Sequence, residues 1–353
     1  MASCGDYDHR FILYVTTIMD LLTQGLLGAS MAQSGARHEE TRVAAGIGFF
    51  AGIIADADIL IQSENDPLLN IEFHRHFTHS IFFIPFGALI AAALLWPFLR
   101  RRLSFARIYL FAFLGYCLSG VLDALTSYGT NLLWPLSDSR LAFNIISVID
   151  PVFTLILLVA VVYALRKHSI TAARVGLLLA GVYLSFGWMQ LQRAEGITET
   201  LAAGHGHTIE RLLVKPTLGN LVLWRSVYQS EGRLYVNAIR IAPFSDARVY
   251  PGDSIALFDL SRDLPDLPAS SILAGDIARF SHFSDGLIAL WPERPEILID
   301  VRYSNLPMTL SPLWGIEINN LQPDQHARYS LFRDASRETR GKFIQLLMGG
   351  ELD

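Results

Sequence analysis

Three histidines lie within six residues in the segment His74-Arg75-His76-Phe77-Thr78-His79-Ser80, directly ahead of an apolar run. Two carboxylates close an earlier apolar run in Ile54-Ala55-Asp56-Ala57-Asp58, and Asp123 closes a third in Gly120-Val121-Leu122-Asp123. Imidazole and carboxylate together form a mixed nitrogen and oxygen donor set suited to a divalent metal, zinc first, with manganese and iron as alternatives. Such an ion brings the pKa of water close to neutrality and so makes hydrolysis the expected chemistry. The candidate ligands are Asp56, Asp58, His74, His79 and Asp123. Asp56 and Asp58, at i and i+2, would diverge on a regular helix, so the backbone must leave α-helical geometry there if both face one ion. His74 and His79 converge only if the first is on a loop and the second on a helix. His76 is a candidate proton carrier, and Arg75 and Arg140 are candidates to steady an anion. Each feature also has a plainer reading: a solvated Asp-x-Asp cap, a basic strip against lipid headgroups, and loop salt bridges through Asp138, Arg140 and Asp150.

The elements that must carry these residues are membrane helices. The chain of 353 residues is 52% hydrophobic and 17% charged, with a mean hydropathy of +0.35, too apolar for a pair of ordinary soluble domains. The excess lies before about residue 192, where helices are expected at about 11–34, 43–62, 79–99, 104–126, 147–166 and 173–191. Asp20 and Gln24, one turn apart in the first, would face a cavity rather than lipid. Arg37 and Arg42, Arg100 to Arg102, and Arg166, Lys167 and Arg174 mark loops on the cytoplasmic side. Six spans then place 63–78, 127–146 and everything after 192 on the outer side, together with all the candidate ligands. No removable leader is expected, and Met19 is a second candidate start.

The fold class expected is therefore an α-helical polytopic membrane domain of about six helices (1–192) followed by a β-rich, α+β soluble domain (205–353). In the latter, Leu221–Tyr228 and Leu234–Ile241 flank Glu231-Gly232 as a hairpin. Further strands are expected at Ser254–Phe258, Leu287–Trp291, Ile297–Tyr303 and Trp314–Ile318, and a helix at Arg337–Met348. The two cysteines, Cys4 and Cys117, set no disulfide framework, and a net charge of −5 without basic blocks gives no reason to expect nucleic acid as a partner. No Gly-x-Ser-x-Gly elbow, P-loop or dinucleotide fingerprint is present.

Taken in order, Met19-Asp20-Leu21-Leu22-Thr23-Gln24-Gly25, Asp56-Ala57-Asp58, the His74 to Ser80 segment, Leu122-Asp123-Ala124-Leu125-Thr126-Ser127-Tyr128-Gly129-Thr130, Pro135 and Ile149-Asp150-Pro151 resemble the YdjM-type inner-membrane proteins, a bacterial family described as metal-dependent hydrolases. The resemblance covers about residues 19–160, and Pro216 to Arg225, with Asn220 and Trp224, resembles the outer domain of longer members. It implies a multi-pass protein of the bacterial inner membrane with an extracytoplasmic C-terminal domain. Two positions depart from the family pattern. Ala55 stands where a proline usually precedes the first aspartate, and Ser119 stands where a histidine usually lies four residues before the helical aspartate. The expected function is hydrolysis of an ester or phosphoester, lipid-linked or phosphorylated, with membrane lipids as partners. An ion transporter and a non-catalytic envelope protein with a structural metal are the alternatives.

Overall fold

A computed structural model of the chain describes residues 21–63, 65–242 and 245–352. The expected first helix is described from residue 21 only, as α1 (21–34), and Asp20 lies outside the described residues. Next come α2 (Thr41–Ile54), α3 (Leu69–Phe73), α4 (Ile84–Leu99), α5 (Phe105–Tyr116), α6 (Ser119–Leu125), α7 (Pro151–Lys167) and α8 (Ile170–Gly204). Ala-rich faces pack these helices closely: Ala44, Ala51, Ala88, Ala91, Ala92 and Ala112 share one buried cluster. Gly48 of α2 marks a close approach, since a Cβ there would fall 2.3 Å from the Gly28 carbonyl of α1. The outer faces expose Phe86, Leu94, Phe98, Leu155, Val159, Leu178 and Val182.

Three stretches are long and apolar enough to cross a bilayer: His38–Leu60, Phe105–Leu125 and Ile170–Gly204. A fourth, Ile71–His79 with Ile84–Leu99, is bent by 87° and reads either as a broken span or as a re-entrant loop. Among the described residues this is fewer than the six spans expected. α7, at 17 residues, reaches only about 26 Å along its axis, short of the hydrocarbon thickness. The described part of α1 is shorter still. The third expected span breaks because the His-rich segment turns sharply before Ile84 instead of running straight into it.

The last helix also differs from expectation, running 35 residues to Gly204 rather than ending near 191. Its C-terminal half leaves the apolar stretch and becomes part of the soluble layer stack, burying Leu191 and Ala194 against Val214, Trp224 and Ile239. Two antiparallel sheets follow, each in sequential order. The first comprises β1 (Arg211–Pro216), β2 (Leu223–Ser230), β3 (Arg233–Arg240) and β4 (Arg248–Ala256). The second comprises β5 (Ile288–Trp291), β6 (Arg294–Asp300), β7 (Trp314–Glu317) and β8 (Arg328–Leu331). The β2–β3 hairpin turns at Glu231 and Gly232, both left-handed, as a two-residue turn requires. Val227, Leu234 and Val236 of the first sheet meet Ala289, Ile297 and Ile299 of the second, so the sheets face each other. Short helix α9 (Leu260–Asp263) precedes α10 (Ile272–Phe283), which covers the second sheet, and α11 (Arg337–Met348) packs Leu346 on Leu223, Ala238 and Tyr250. Arg225 ties the layers together by donating to the carbonyls of Val301, Pro307 and Thr309.

The helical part docks against this sandwich. Leu68 and Ile71 enter the core that α10 shares with Leu298, Trp314 and Ile316. Arg279 of α10 pairs with Asp66 at 2.9 Å and Glu72 at 2.7 Å, and Tyr303 donates to the Ser127 carbonyl at 2.7 Å.

Candidate metal centre

The chain leaves α-helical geometry at the Asp-x-Asp pair. α2 ends at Ile54 and a 3-10 stretch, Ala55–Leu60, carries Asp56 and Asp58, both buried. The tighter winding sends the two carboxylates to different neighbours. Beyond α3 the backbone reverses at Arg75, whose φ is +59°, and a second 3-10 turn, Phe77–His79, delivers His79 to the interior. α6 supplies Asp123 from the opposite wall. Gly120 permits the junction, because a Cβ there would sit 1.9 Å from the His79 carbonyl oxygen.

These pieces bring Asp56, His79 and Asp123 together, with one donor atom from each lying within 4.8 Å of the others. His79 Nε2 is 2.9 Å from Asp123 Oδ2 and 3.2 Å from Asp56 Oδ1, yet it forms no aligned hydrogen bond, and neither Asp56 oxygen has a hydrogen-bond partner among the described residues. Buried polar atoms are almost always satisfied, and one metal ion is a partner that these three converging residues could hold. Asp56, Asp58 and Asp123 are all buried here, and the Arg75 guanidinium, 3.4 Å from Asp123, is the one permanently charged cation that pairs with them among the described residues.

Asp58, expected as a ligand, is already engaged. It accepts from the Arg75 backbone N–H at 2.8 Å and the Thr78 hydroxyl at 2.6 Å, and it lies 3.1 Å from His74 Nδ1. Because the single Thr78 proton goes to Asp58, the same hydroxyl, 3.0 Å from His79 Nδ1, must accept from that nitrogen. Nδ1 therefore carries a ring proton and Nε2 is the nitrogen turned to the cluster, the arrangement by which a hydrogen-bonded partner orients a ligating histidine. His74 stands one step back, paired with Asp58 rather than converging with the three. Gln24 donates to both Asp123 oxygens at 3.0 Å.

The other expected residues separate. Arg75 is 2% exposed, faces Asp123 and reaches Thr126. Arg140 donates to the carbonyls of Tyr128 and His74, bracing the loop with its guanidinium over the Tyr128 ring. The ring of His76 is packed among Phe73, Phe77 and Trp134. Thr78 and Gln24 are the contributors that residue type alone did not single out as site groups: Thr78 is an ordinary hydroxyl inside the histidine motif, and Gln24 is visible only as a polar interruption of an apolar helix.

Residues 19–194 match the family model of the YdjM inner membrane proteins. The chain belongs to this family through its N-terminal half, and the remainder is a separate domain. A further match is the uncharacterized protein YfhP of Bacillus subtilis (strain 168), 28% identical over 183 residues, which are 51% of this chain and 54% of that protein. The chain thus aligns with about half the length of that relative. No solved structure matches significantly.

Where the YdjM pattern calls for histidine, Ser119 is buried and donates to the Gly52 carbonyl of α2 at 3.3 Å, a helix-to-helix contact. Ala55 is fully buried at the start of the 3-10 stretch, which forms without the proline. The cluster adjoins a cavity of about 780 Å³ between the helical part and the sandwich, reached through Asp56, His74 and Arg75 and roofed by Lys215, Tyr303 and Trp314.

Proposed function

We propose that the protein is a membrane-embedded, metal-dependent hydrolase that cleaves an ester or phosphoester, lipid-linked or phosphorylated, at the outer face of the bacterial inner membrane. The observation that carries the reading is the buried convergence of Asp56, His79 Nε2 and Asp123, with the Asp56 oxygens and His79 Nε2 lacking a hydrogen-bond partner among the described residues, beside a cavity large enough for a substrate. Those three residues would hold one divalent ion, with zinc favoured by the imidazole and carboxylate donors. When bound, the ion supplies Lewis acidity and lowers the pKa of a nearby water. Asp58 and Thr78 hold the His79 ring in one tautomer. Gln24 and Arg75 fix the Asp123 carboxylate, and Arg75, at the cavity wall, is placed to hold an anionic group of the substrate. His74, also at that wall, is better placed than His76 to carry a proton.

The orientation is supported by charge. Arg42 and Arg174 cap the carbonyls of Leu165 and Ser34 at one end of the bundle, where Arg166 and Lys167 also lie, while the cluster sits at the other end of α2. The test is hydrolysis of phosphomonoester, phosphodiester and carboxylic ester panels, water-soluble and acyl-chain forms, by purified protein with zinc or manganese. Turnover that disappears with chelator and in Asp123→Asn supports the reading. Turnover that survives both overturns it.

A further inference from the structure

Lys215 is the last residue but one of β1 and is paired in register with Arg225. Its neighbour Val214 faces α8, so Lys215 projects from the opposite side of the sheet, into the cavity above the metal cluster. It is only 7% exposed. Its ammonium lies 3.1 Å from the centre of the Tyr303 ring and has no hydrogen bond or carboxylate partner among the described residues. The acid that acts on it, Asp300, is committed to Arg302 through contacts of 2.7 and 2.9 Å. Burial, and after it the Arg302 guanidinium, push the Lys215 amine well below the ordinary lysine range. Across the same cavity Arg333 holds a buried Nε with no hydrogen-bond partner among the described residues. Of the acids at the wall, Asp56 belongs to the metal cluster, and Asp334 is occupied by the Ser336 N–H and the Thr339 hydroxyl. Leu218, Phe343, Ile344 and Ile59 contribute to its apolar lining, and Leu218, Ile344 and Ile59 also reach the surface.

A buried amine with no acid beside it keeps its charge only at a cost, and an anionic ligand would offset that cost. We propose that Lys215 and Arg333 form an anion subsite in which the soluble domain grips the phosphate of an amphiphilic phosphoester, whose apolar part lies along Leu218, Phe343 and Ile344. This rests on the hydrolase reading for the fate of the ligand but not for its binding. The sandwich is then a substrate-binding half of the site, facing the metal half across one cavity.

The test uses the full chain in detergent, with chelator present so that no metal contributes. Short-chain phosphatidic acid, the matching diacylglycerol and inorganic phosphate are titrated against wild type, Lys215→Met and Arg333→Gln, each checked for folding by its melting transition. Phosphatidic acid should bind wild type at least about tenfold more tightly than Lys215→Met or Arg333→Gln, with diacylglycerol binding no better to wild type than to the variants. Tighter binding of phosphatidic acid than of inorganic phosphate assigns the subsite to a lipid headgroup, and equal binding assigns it to a soluble phosphate. If Lys215→Met does not fold, Arg333→Gln carries the same expectation. Phosphatidic acid binding equally to wild type and a folded variant, or no better than diacylglycerol, overturns the subsite. Because the titration excludes metal, that result would leave the metal centre standing, and absence of metal or of turnover would leave the subsite standing.

Discussion

Replacing Gly120 by alanine isolates the geometry of the metal centre without touching a ligand. The new Cβ would start 1.9 Å from the His79 carbonyl oxygen, whereas real Cβ atoms essentially never come under 3.0 Å, so α6 and the 3-10 turn must part by more than about 1 Å. The obstacle is backbone, not a flexible side chain, so the shift moves His79 away from Asp123, which is carried on α6 itself. A misplacement of that size costs on the order of 100-fold where groups must converge, and disturbing the supports of a metal ligand costs roughly 10- to 100-fold in affinity. Gly120→Ala should therefore raise the metal dissociation constant about 10- to 100-fold, measured by competition with a chelating dye, and lower stability by about 1–3 kcal/mol. Gly46→Ala is the control. Nothing lies within 4 Å of its added methyl, and on the exposed side of α2 it should leave metal affinity unchanged and be neutral or stabilising by about 0.5–1 kcal/mol. A folded Gly120→Ala protein with wild-type metal affinity would refute the argument that His79 and Asp123 are held for one ion by this contact.

Other consequences follow from named contacts. Thr78→Val removes the hydroxyl that relays His79 Nδ1 to Asp58 and should weaken metal binding about 10- to 100-fold, while Thr78→Ser should keep most of it, in the same titration. Arg302→Met leaves Asp300 fully buried and unpaired, so chemical denaturation should register a loss of about 3–5 kcal/mol. Burial raises the Asp66 carboxyl, but the hydrogen-bonded Arg279 guanidinium outweighs it and holds the group below the ordinary range. A depressed carboxyl adds stability above its unfolded value near pH 4 and loses it as pH falls through the folded value. Melts of wild type from pH 6 downward should thus show the docked sandwich weakening only in acid, whereas Arg279→Gln should show the weakening already at pH 7. Identical pH profiles would contradict the latch.

The sequence made the membrane character of the first half, the hairpin around Glu231-Gly232 and the terminal helix at Arg337–Met348 readable, because each rests on a local signal: apolar runs, a left-handed turn pair, or an amphipathic period. The Asp-x-Asp spacing called for a departure from α geometry if both carboxylates were to face one ion; the 3-10 stretch at Ala55–Leu60 departs from it, but Asp56 alone of the pair joins His79 and Asp123. What could not be read locally was tertiary. Among the described residues three or four spans stand where counting apolar runs gave six, and hydropathy does not distinguish a straight crossing from the 87° bend before Ile84. Equal ligand rank for Asp58 and His74 followed from residue type, whereas their places are set by which side chain reaches Thr78 and the Arg75 N–H first. Lys215 carried no signal at all, as one lysine in a strand looks like any solvated residue until the cavity and the Tyr303 ring are seen around it.

The central claim is that Asp56, His79 and Asp123 hold a divalent ion. Elemental analysis of detergent-purified wild type beside a folded His79→Ala, Asp123→Asn double variant tests it most directly. About one equivalent of zinc, manganese or iron in the wild type and almost none in the variant is the predicted result. Metal absent from wild type after loading, or equal in both proteins, would contradict it.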